Sequence, residues 1–300
     1  MSINQKLIDK FNKNIFYNAE LSNYSWFNLG GPAEVFFKPN SIDDLKNFLL
    51  KSKNKKDKIF ILGAGSNTLF RDAGFDGIII KLGKAFTETK LLENNKIEVG
   101  AATLDKKLSD FAYKNSLSGL EFLSCIPGSI GGAITMNSGC YDSDISKIFV
   151  SLKAINLDGK IKSLSKDEVK FFYRGNNLNN KLIILSVILQ GEPADKNQIK
   201  EKQESLLKRK KETQPSRIKT CGSTFKNPPN KKAWELIKVS NCSNLIVGGA
   251  SISTQHCNFF QNNGNASSAD IEKLIETVKE KVFLKTGTNL ELEIKIIGAK

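Results

Sequence analysis

The sequence predicts an α+β or α/β fold that is divided into three successive units. Three observations predict this class. Apolar, strand-like runs alternate with amphipathic helical patterns, two glycine-rich segments each follow a predicted strand, and the chain ends in a long helix and an alternating strand. With 300 residues the chain is longer than one hydrophobic core usually organises, so two or three compact subdomains are expected.

The first two units, residues 1–82 and 83–193, each mix strands with helices. An amphipathic helical pattern covers residues 1–14. The first unit then has the predicted strands 33–38, 58–62 and 77–82 and a helix over 41–53, with a capping box from Ser41 to Asp44. The second unit has strands 97–100 and 182–190, helices 103–115 and 166–171, and a hairpin over 149–161 that turns at Asp158-Gly159.

The third unit, residues 194–300, begins with a charged helix over 195–212. A second helix, 267–285, is capped by Ser267 and Asp270 and carries an apolar stripe at Ile271, Leu274, Ile275, Val278 and Val282. The final strand alternates, with Leu290, Leu292, Ile294 and Ile296 on one face and Glu291, Glu293 and Lys295 on the other.

The composition argues against several classes of protein. The formal charge of +14 invites a nucleic-acid function, but the lysines are spread along the chain without interleaved aromatic residues, so we expect no nucleic-acid partner. Part of that charge is suited to attracting anionic small molecules such as nucleotides. Five scattered cysteines and a single histidine, His256, provide no zinc-binding pattern, so we expect no metal.

The chain is expected to stay in the cytosol. No apolar run approaches the roughly 20 residues that span a bilayer, and the N-terminal residues have no unbroken apolar stretch typical of a signal peptide. Reduced thiols fit that compartment. The sequence leaves the oligomeric state open, and a monomer is compatible with it.

The first glycine-rich segment is typical of a turn that holds a phosphate. It consists of Gly63, Ala64, Gly65, Ser66 and Asn67, directly after a predicted strand. Glycine lets the backbone approach an anion closely, so that successive amides point at it. The spacing matches neither the Rossmann fingerprint nor a P-loop, and a purely structural turn is the alternative.

The second segment is longer. Pro127, Gly128, Ser129, Gly131 and Gly132 fall within six positions, and Asn137 follows in a run of small polar residues. A tight backbone crossing would be the packing explanation. Two such segments in successive units favour a diphosphate-bearing nucleotide held between two small α/β subdomains.

Seven stretches together identify a family resemblance. They occur in one order from about residue 24 to residue 298, and they are 25–33 (SWFNLGGPA), 62–67 (LGAGSN), 126–133 (IPGSIGGA) with Met136-Asn137, Tyr173-Arg174, 222–228 (GSTFKNP), 256–259 (HCNF) and 290–294 (LELEI). The chain resembles the UDP-N-acetylenolpyruvoylglucosamine reductases. The compact stretch 141–191 is similar to the smaller of that family's two structural classes.

The resemblance implies a two-subdomain FAD-binding fold of the PCMH type, followed by a C-terminal α+β substrate-binding domain. It also implies non-covalently bound FAD, NADPH as co-substrate, and reduction of an enolpyruvyl ether of a UDP-sugar to UDP-N-acetylmuramate, a peptidoglycan precursor. Both glycine segments then bind FAD. The sequence departs from the family pattern at Asn28, Thr135 and Lys238.

Three residues are candidates for the protein's share of that chemistry. Arg174 would stabilise the negative charge that develops beside the substrate carboxylate, because a guanidinium offers a permanently charged fork. Ser223 would donate the proton, a role that the resemblance supplies and the residue type alone would not. Alternation puts Glu291 and Glu293 on one face, and the resemblance selects Glu293 as an acid, base or orienting group.

Further residues in the matched stretches are candidates for substrate binding: Tyr173, Arg217, Lys226, Asn227, His256 and Asn258. Two other functions compete with the reductase. Another FAD-linked oxidoreductase of the same fold would often tether its flavin through a histidine near the glycine segments, but His256 lies far along the chain. A non-catalytic nucleotide-binding protein would bind no flavin.

Overall fold

A computed structural model of the chain describes residues 13–52, 58–179 and 181–300. The amphipathic helix predicted over residues 1–14 therefore lies almost entirely outside the described residues. No helix within these ranges is long and apolar enough to cross a membrane.

The described residues form twenty short or medium strands. In chain order these are β1 (Ile15–Glu20), β2 (Pro32–Phe37), β3 (Ile59–Ile61), β4 (Thr68–Phe70), β5 (Phe75–Ile80), β6 (Thr89–Leu91), β7 (Lys96–Gly100), β8 (Leu117–Ser118), β9 (Gly139–Cys140), β10 (Ser143–Asp144), β11 (Phe149–Asn156), β12 (Ile161–Ser165), β13 (Phe171–Phe172), β14 (Gly175–Asn176), β15 (Leu182–Gln190), β16 (Glu192–Pro193), β17 (Ile246–Val247), β18 (Ala250–Ile252), β19 (Phe260–Asn262) and β20 (Lys295–Ile297).

Seven α-helices accompany these strands in the described ranges. They are α1 (Ile42–Lys51), α2 (Asp105–Lys114), α3 (Ile130–Met136), α4 (Ile145–Ile148), α5 (Lys196–Thr213), α6 (Ala233–Val239) and α7 (Ser268–Thr286). Short 3-10 turns occur at Leu21–Tyr24, Lys84–Phe86 and Glu121–Cys125. The mixture of helix and strand agrees with the predicted class.

The chain divides into two compact units. The first comprises the described residues of 1–17, 35–64 and 77–209, and the second comprises 18–34, 65–76 and 210–300. This differs from the three consecutive pieces expected from the sequence. The reason is long-range pairing: β4 pairs in parallel with β20, so residues 65–76 join the C-terminal part of the chain. The boundaries at residues 82 and 193 stay a proposal for subdivision.

The first unit has two hydrophobic cores. A five-stranded antiparallel sheet, in the order β12-β11-β15-β7-β6, covers one core together with α2 and α3. The second core surrounds α1, where Phe48 stacks on Phe37 with ring centroids 3.9 Å apart. Two separate cores within this unit support a subdivision into two subdomains.

Most local predictions for the first unit are confirmed. Helix α1 begins after Ser41, whose hydroxyl accepts the Asp44 amide at 3.0 Å. The hairpin turns through Gly159, which has a φ of 74°, and β15 spans the predicted residues. The helix predicted over 166–171 is wrong: residues 166–168 form a turn and Phe171 begins β13. The turn is favoured because the Glu168 carboxylate accepts the Ser165 amide at 2.8 Å and its hydroxyl at 3.1 Å.

The second unit packs α7 over a small three-stranded sheet, β17-β18-β19. All five residues of the predicted apolar stripe of α7 are buried. The predicted cap is also confirmed, since Ser267 and Asp270 exchange hydrogen bonds in a capping box and Gly287 ends the helix in a left-handed conformation.

The final strand is shorter than predicted. Regular pairing begins only at Lys295, and residues 290–293 run beside residues 224–226 instead. Leu290 and Ile294 are buried, as the alternation predicted, while Leu292 and Ile296 are half-buried. The extended segment therefore pairs first with residues 224–226 and then with β4. Leu290 and Ile294 keep the alternating burial that the sequence predicted, although the regular strand is shorter.

The five cysteines are free thiols in the structure. Cys221 is buried in the second unit, where its sulfur lies 3.3 Å from the Thr68 carbonyl oxygen. Burial raises the pKa of the Cys221 thiol to about 12, so it stays protonated at neutral pH and acts as a packing group.

Candidate active site

The start of the first glycine segment meets the second segment inside the first unit. A Cβ atom at Gly63 would lie 2.9 Å from the Ser129 hydroxyl oxygen, so a larger residue here would require the Ser129 side chain to move. The Lys81 ammonium donates to the Gly63 carbonyl oxygen. Burial lowers the pKa of Lys81, and Lys38 lowers it further. A half-buried lysine therefore sits beside two segments suited to binding a diphosphate.

The rest of the first segment belongs to the second unit. Gly65 has a φ of 74°, and a Cβ there would lie 1.8 Å from the Tyr24 carbonyl oxygen, so no other residue fits. Asn67 donates from its side chain to the Glu293 carbonyl oxygen at 3.0 Å and accepts the Lys295 amide at 2.9 Å. The predicted cofactor segment is thus bonded directly to the segment that carries Glu293.

The second glycine segment pairs with the residues that lead into α2. Ser129 forms an isolated antiparallel bridge with Leu104, the Ile130 amide donates to Thr103, and the Gly131 amide donates to Ala101 at 2.8 Å. In the described part of the chain no acceptor faces the amides of Ser129 and Gly132. These two amides remain open for an anion.

Two residues of the second segment have structural reasons for their type. A Cβ at Gly131 would lie 3.2 Å from the Ala101 Cβ and carbonyl oxygen, so packing alone accounts for this glycine. Asn137, at a φ of 41°, donates to the Phe172 carbonyl oxygen at 3.2 Å and accepts the Ser146 amide at 3.1 Å. Their contact with a cofactor stays a prediction, as does that of Ala64, Ser66 and Pro127.

Arg174 has a strained backbone in the first unit. Its φ is 57°, and its guanidinium donates to the Gly139 carbonyl oxygen at 3.2 Å and lies 5.0 Å from the Tyr173 ring centroid. Arg174 is half-buried, whereas Tyr173 is exposed. A left-handed arginine requires local stabilisation, and such strain is concentrated at functional sites.

Ser223 lies in a layer of three extended segments in the second unit. On one side it is bridged to Phe259, and on the other side its neighbour Thr224 accepts the Glu293 amide at 2.9 Å. Gly222, with a φ of 77°, directs the chain into this segment. The structure therefore places Ser223 and Glu293 on adjacent backbone segments, as a shared site requires.

The structure distinguishes the two glutamates that alternation alone left equivalent. Glu291 is exposed, with its carboxylate 3.5 Å from the Lys226 ammonium. Glu293 is half-buried and lies beside Asn67 and Thr224 through its backbone. Burial and proximity to the cofactor segment favour Glu293 as the functional carboxylate. The carboxylate of Glu291 is instead paired with the Lys226 ammonium.

Asn258 is a structural clamp for the segment that carries Ser223. Its side chain is buried, accepts the Phe225 amide at 3.0 Å and donates to the Phe225 carbonyl oxygen at 2.8 Å. Its own amide donates to His256 Nδ1 at 3.2 Å, and burial lowers the pKa of His256. His256 is therefore neutral at physiological pH, and only its other ring nitrogen is free of this contact.

The remaining candidates lie at the edge of this layer. Asn227 caps α6 through its side-chain oxygen, which accepts the Ala233 amide at 2.9 Å. Arg217 is exposed and has a φ of 59°. The role of both residues in substrate binding stays a prediction. In the second unit the structure thus brings together Asn67, Ser223, Lys226, His256, Asn258 and Glu293.

Sequence reasoning missed three polar residues beside these segments. Lys81 contacts Gly63, Asp105 contacts Gly128, and Thr224 is completely buried with a hydroxyl that has no partner among the described residues. A lysine, an aspartate at the start of a helix and a threonine in an extended stretch are ordinary in sequence. Only their surroundings in space, which no local pattern reports, set them apart: Lys81 contacts Gly63, and Asp105 and Thr224 are buried.

Comparisons with known proteins agree with this geometry. Residues 33–165 match the family described as FAD binding domain. Residues 214–297 match the family described as UDP-N-acetylenolpyruvoylglucosamine reductase, C-terminal domain. The two matches include both glycine segments and the layer with Ser223 and Glu293.

Relatives match over almost the entire chain. The UDP-N-acetylenolpyruvoylglucosamine reductase of Pelagibacter ubique is 46% identical over 302 residues, which cover 99% of this chain and 100% of the relative. That of Rickettsia typhi is 44% identical and covers 93% of this chain and 94% of its own. The crystal structure of the Thermus caldophilus enzyme is similar with a TM-score of 0.82 at 30% identity, covering 94% of this chain and 98% of the other.

Proposed function

The chain belongs to the UDP-N-acetylenolpyruvoylglucosamine reductase family, and we propose that it reduces UDP-N-acetylglucosamine enolpyruvate to UDP-N-acetylmuramate with NADPH as co-substrate. It is an FAD-dependent oxidoreductase of peptidoglycan precursor synthesis. We place it in the cytosol, where both small-molecule substrates are found, and we propose that it needs no macromolecular partner.

The residues of the first unit fit FAD. Gly63 permits the close approach of Ser129, the amides of Ser129 and Gly132 are open, and the half-buried Lys81 adds a positive charge. A diphosphate needs amide donors, small side chains and cationic surroundings, and this group supplies all three. When bound, the flavin supplies the hydride for the enolpyruvyl double bond. The remaining tasks fall to side chains of this chain.

One observation carries the proposal: Asn67, at the end of a cofactor segment, hydrogen-bonds to the backbone of Glu293 at 3.0 Å. Asn67 follows the glycines, and Glu293 pairs with the segment that bears Ser223. A single connected set of hydrogen bonds thus supports the residues proposed for the cofactor and those proposed for the proton transfer. Precise positioning of reacting groups is a large part of catalysis.

Arg174 is proposed to bind the carboxylate of the enolpyruvyl group. Hydride addition to the terminal carbon of the double bond leaves negative charge next to that carboxylate. A guanidinium is always charged and its planar fork matches a carboxylate, so it stabilises this charge more than it stabilises the substrate. Tyr173 would then lie beside the same part of the substrate, since its ring is 5.0 Å from the guanidinium.

Ser223 is proposed to donate the proton that completes the reduction. A hydroxyl is a weak acid, so it needs a neighbour that stabilises its deprotonated form. Glu293, on the adjacent segment, orients the reacting group or exchanges a proton with it. We propose that Arg217, Lys226, Asn227 and His256 contact the UDP-sugar, with Asn258 supporting them through its clamp on Phe225.

The proposal is tested by a single-turnover experiment without oxygen. Purified protein with reduced FAD is mixed with UDP-N-acetylglucosamine enolpyruvate, and the flavin absorbance and the product mass are followed. We expect rapid reoxidation of the flavin and a product that is heavier than the substrate by two hydrogens. A reduced flavin that persists in the presence of the sugar nucleotide would contradict the proposed substrate.

A further inference from the structure

Asp105 is a buried carboxyl that the proposed chemistry does not use. The residue is completely buried, and neither carboxyl oxygen has a hydrogen-bond partner within the described part of the chain. Thr103, two positions earlier, is also buried, and its hydroxyl likewise lacks a described partner. Unpartnered buried polar groups are rare in folded proteins because desolvation is unfavourable, so each requires an explanation.

Both residues lie directly against the second glycine segment. The Asp105 amide donates to the Gly128 carbonyl oxygen at 3.2 Å, and the Thr103 carbonyl oxygen accepts the Ile130 amide at 2.9 Å. A Cβ atom at Gly128 would lie 2.4 Å from the Asp105 Oδ2. The carboxyl thus fills the space beneath Gly128 that a side chain at residue 128 would otherwise occupy.

Residues 103–105 place their polar side chains inward and their apolar side chain outward. Leu104, between Thr103 and Asp105, is 46% exposed, whereas both of its neighbours are buried. Burial therefore shows directly that the Thr103 and Asp105 side chains face inward while Leu104 faces outward. A position needed only for packing would favour an apolar residue, because burying a carboxyl is unfavourable even in its neutral form.

The surroundings of the carboxyl favour its uncharged form. Burial raises the pKa of Asp105 well above its usual value, although the backbone of Gly128 opposes this effect. A neutral carboxyl beneath the segment avoids repulsion of a bound diphosphate and still offers both a donor and an acceptor. A leucine of similar size would offer neither.

We propose that Asp105 is a positioning residue for the cofactor: its carboxyl fills the space beneath Gly128 and so keeps the neighbouring amides of Ser129 and Gly132 in place to face the FAD diphosphate. The inference rests on FAD binding, which belongs to the assigned family, and is independent of which substrate the reduced flavin meets. Asp105 acts through the segment and does not touch the reacting atoms.

The first test measures FAD binding to apoprotein. Flavin is removed, and FAD is titrated back while its fluorescence is followed. Asp105→Asn keeps the shape and both hydrogen-bonding functions of the neutral carboxyl, so its dissociation constant should stay within about threefold of the parent value. Asp105→Leu should weaken binding by about tenfold or more, because a branched apolar side chain offers neither donor nor acceptor beneath Gly128.

Ser109→Ala is the matched control. Ser109 is a buried polar residue one turn further along α2, where its hydroxyl accepts from Gln203 at 2.7 Å, away from the glycine segment. Ser109→Ala should lower the melting temperature of the apoprotein without changing its affinity for FAD. Equal affinities for the parent protein and Asp105→Leu, with only a lower melting temperature, would show that Asp105 is merely structural and would overturn the proposal.

A double-mutant cycle tests the contact itself. Gly128→Ala places a methyl group against the Asp105 Oδ2 and should weaken FAD binding about tenfold. In the Asp105→Ala background the space is open, and the same change should have a clearly smaller effect. An effect of Gly128→Ala that is identical in both backgrounds would overturn the proposal. If Asp105→Ala does not fold, Asp105→Ser provides the shortened side chain.

These measurements need neither NADPH nor the sugar nucleotide. If the FAD affinities of the variants follow the predicted ranking but the flavin is not reoxidised by UDP-N-acetylglucosamine enolpyruvate, the role of Asp105 is supported and the proposed substrate is rejected. If the flavin is reoxidised normally but the FAD affinities do not follow that ranking, the proposed substrate is supported and the positioning role of Asp105 is rejected.

Discussion

Two of the candidate site residues, Arg174 and Arg217, hold left-handed backbone conformations. Arg174 has a φ of 57° and Arg217 has a φ of 59°. Most other non-glycine residues with positive φ in the described ranges are asparagine, aspartate or serine, which tolerate this region in turns. An arginine gains no such local compensation, so the strain at Arg174 is evidence for a role that fixes its guanidinium.

Replacement of Arg174 by lysine tests that role. Lysine keeps the charge but loses the planar fork, so carboxylate binding in the transition state should weaken and kcat should fall by about 10²-fold or more. Steady-state kinetics measure the change. Arg209→Lys is the matched control, because Arg209 is an exposed arginine of the same unit and stacks on Tyr141 at 4.6 Å. Unchanged kcat in Arg174→Lys would refute the assignment.

Ser223→Ala separates the two halves of the catalytic cycle. Flavin reduction by NADPH does not need a proton on the substrate carbon, so it should proceed at the parent rate. Reoxidation by the sugar nucleotide should slow by about 10²- to 10⁴-fold, the usual contribution of a positioned acid. Stopped-flow absorbance of the flavin measures both steps.

Ser243→Ala serves as the control for Ser223. Ser243 is a half-buried serine of the same unit, whose hydroxyl lies 3.2 Å from the Cys257 sulfur. It should leave both half-reactions at parent rates. Normal reoxidation in Ser223→Ala would exclude Ser223 as the proton donor.

Asp105 predicts a pH dependence of stability. Its pKa is raised above the usual 3.8 by burial, so the folded chain binds this proton more tightly than the unfolded chain. The stabilising contribution is therefore complete below about pH 3.8 and declines as the pH rises toward the raised pKa. Asp105→Asn removes the ionisation and should be the more stable protein at pH 7 to 8.

Thermal melting of the apoproteins at several pH values checks this expectation. The melting temperature of Asp105→Asn should exceed that of the parent at pH 8 by a few degrees, since about 2–4 °C corresponds to 1 kcal/mol in a chain of this size. The difference should shrink toward pH 4.5. A constant or reversed difference would contradict a raised pKa.

Individual site residues were predictable only through the family resemblance. Alternation placed Glu291 and Glu293 together, and burial separated them once the structure was known. Asn258 matched a motif and was expected to bind substrate, yet both ends of its amide hold Phe225. Lys81 and Asp105 gave no sequence signal, because their significance lies in what surrounds them in space.

Elements with a long, clean period were predicted well. Strand β15 and helix α7 match their predicted residues closely because nine and nineteen residues of regular pattern outweigh local exceptions. The short helix expected over 166–171 failed because a single side chain, Glu168, bonded back to Ser165 and favoured a turn. Residues 290–293 left the regular strand because the segment at 224–226 provided their partners.

The capping box of α7 gives a prediction at the scale of an element. The Ser267 hydroxyl accepts the Asp270 amide at 3.1 Å, and the Asp270 carboxylate accepts the Ser267 amide at 2.9 Å. Ser267→Ala removes one of these bonds and should destabilise the protein by about 1 kcal/mol. Urea unfolding measures the free energy.

Thr277→Ala is the control for the cap. Thr277 lies on the same helix and is half-buried, and its hydroxyl donates to the Lys273 carbonyl oxygen at 2.8 Å within that helix. Its replacement should change stability by less than about 0.5 kcal/mol. A loss in Ser267→Ala no larger than that of the control would contradict the role of the cap in holding this helix.

The division of the chain into two units could not be predicted from the pattern of hydrophobic residues. Residues 65–76 lie in the second unit because β4 pairs with β20, more than two hundred residues later. Periodicity reports which residues face a core, but it carries no information about which distant strand becomes the partner. The three expected pieces followed chain order, and the observed units do not.

The spaced sequence motifs, and not the composition, indicated the function of the whole molecule. The charge of +14 is compatible with nucleic acid or anionic small molecules as partners, and the scattered lysines without interleaved aromatic residues argued against nucleic acid. The glycine segments reduced this to a diphosphate-bearing nucleotide, and the family resemblance then gave FAD and the sugar nucleotide. The structure adds the link between the cofactor segment and Glu293, which neither source contains.

The most direct test of the central claim is NADPH consumption with and without UDP-N-acetylglucosamine enolpyruvate. Purified protein loaded with FAD should oxidise NADPH rapidly only when the sugar nucleotide is present, and it should form UDP-N-acetylmuramate in equal amount. NADPH oxidation that proceeds at the same rate without the sugar nucleotide, or that yields no UDP-N-acetylmuramate, would contradict the assignment of this chain as the reductase.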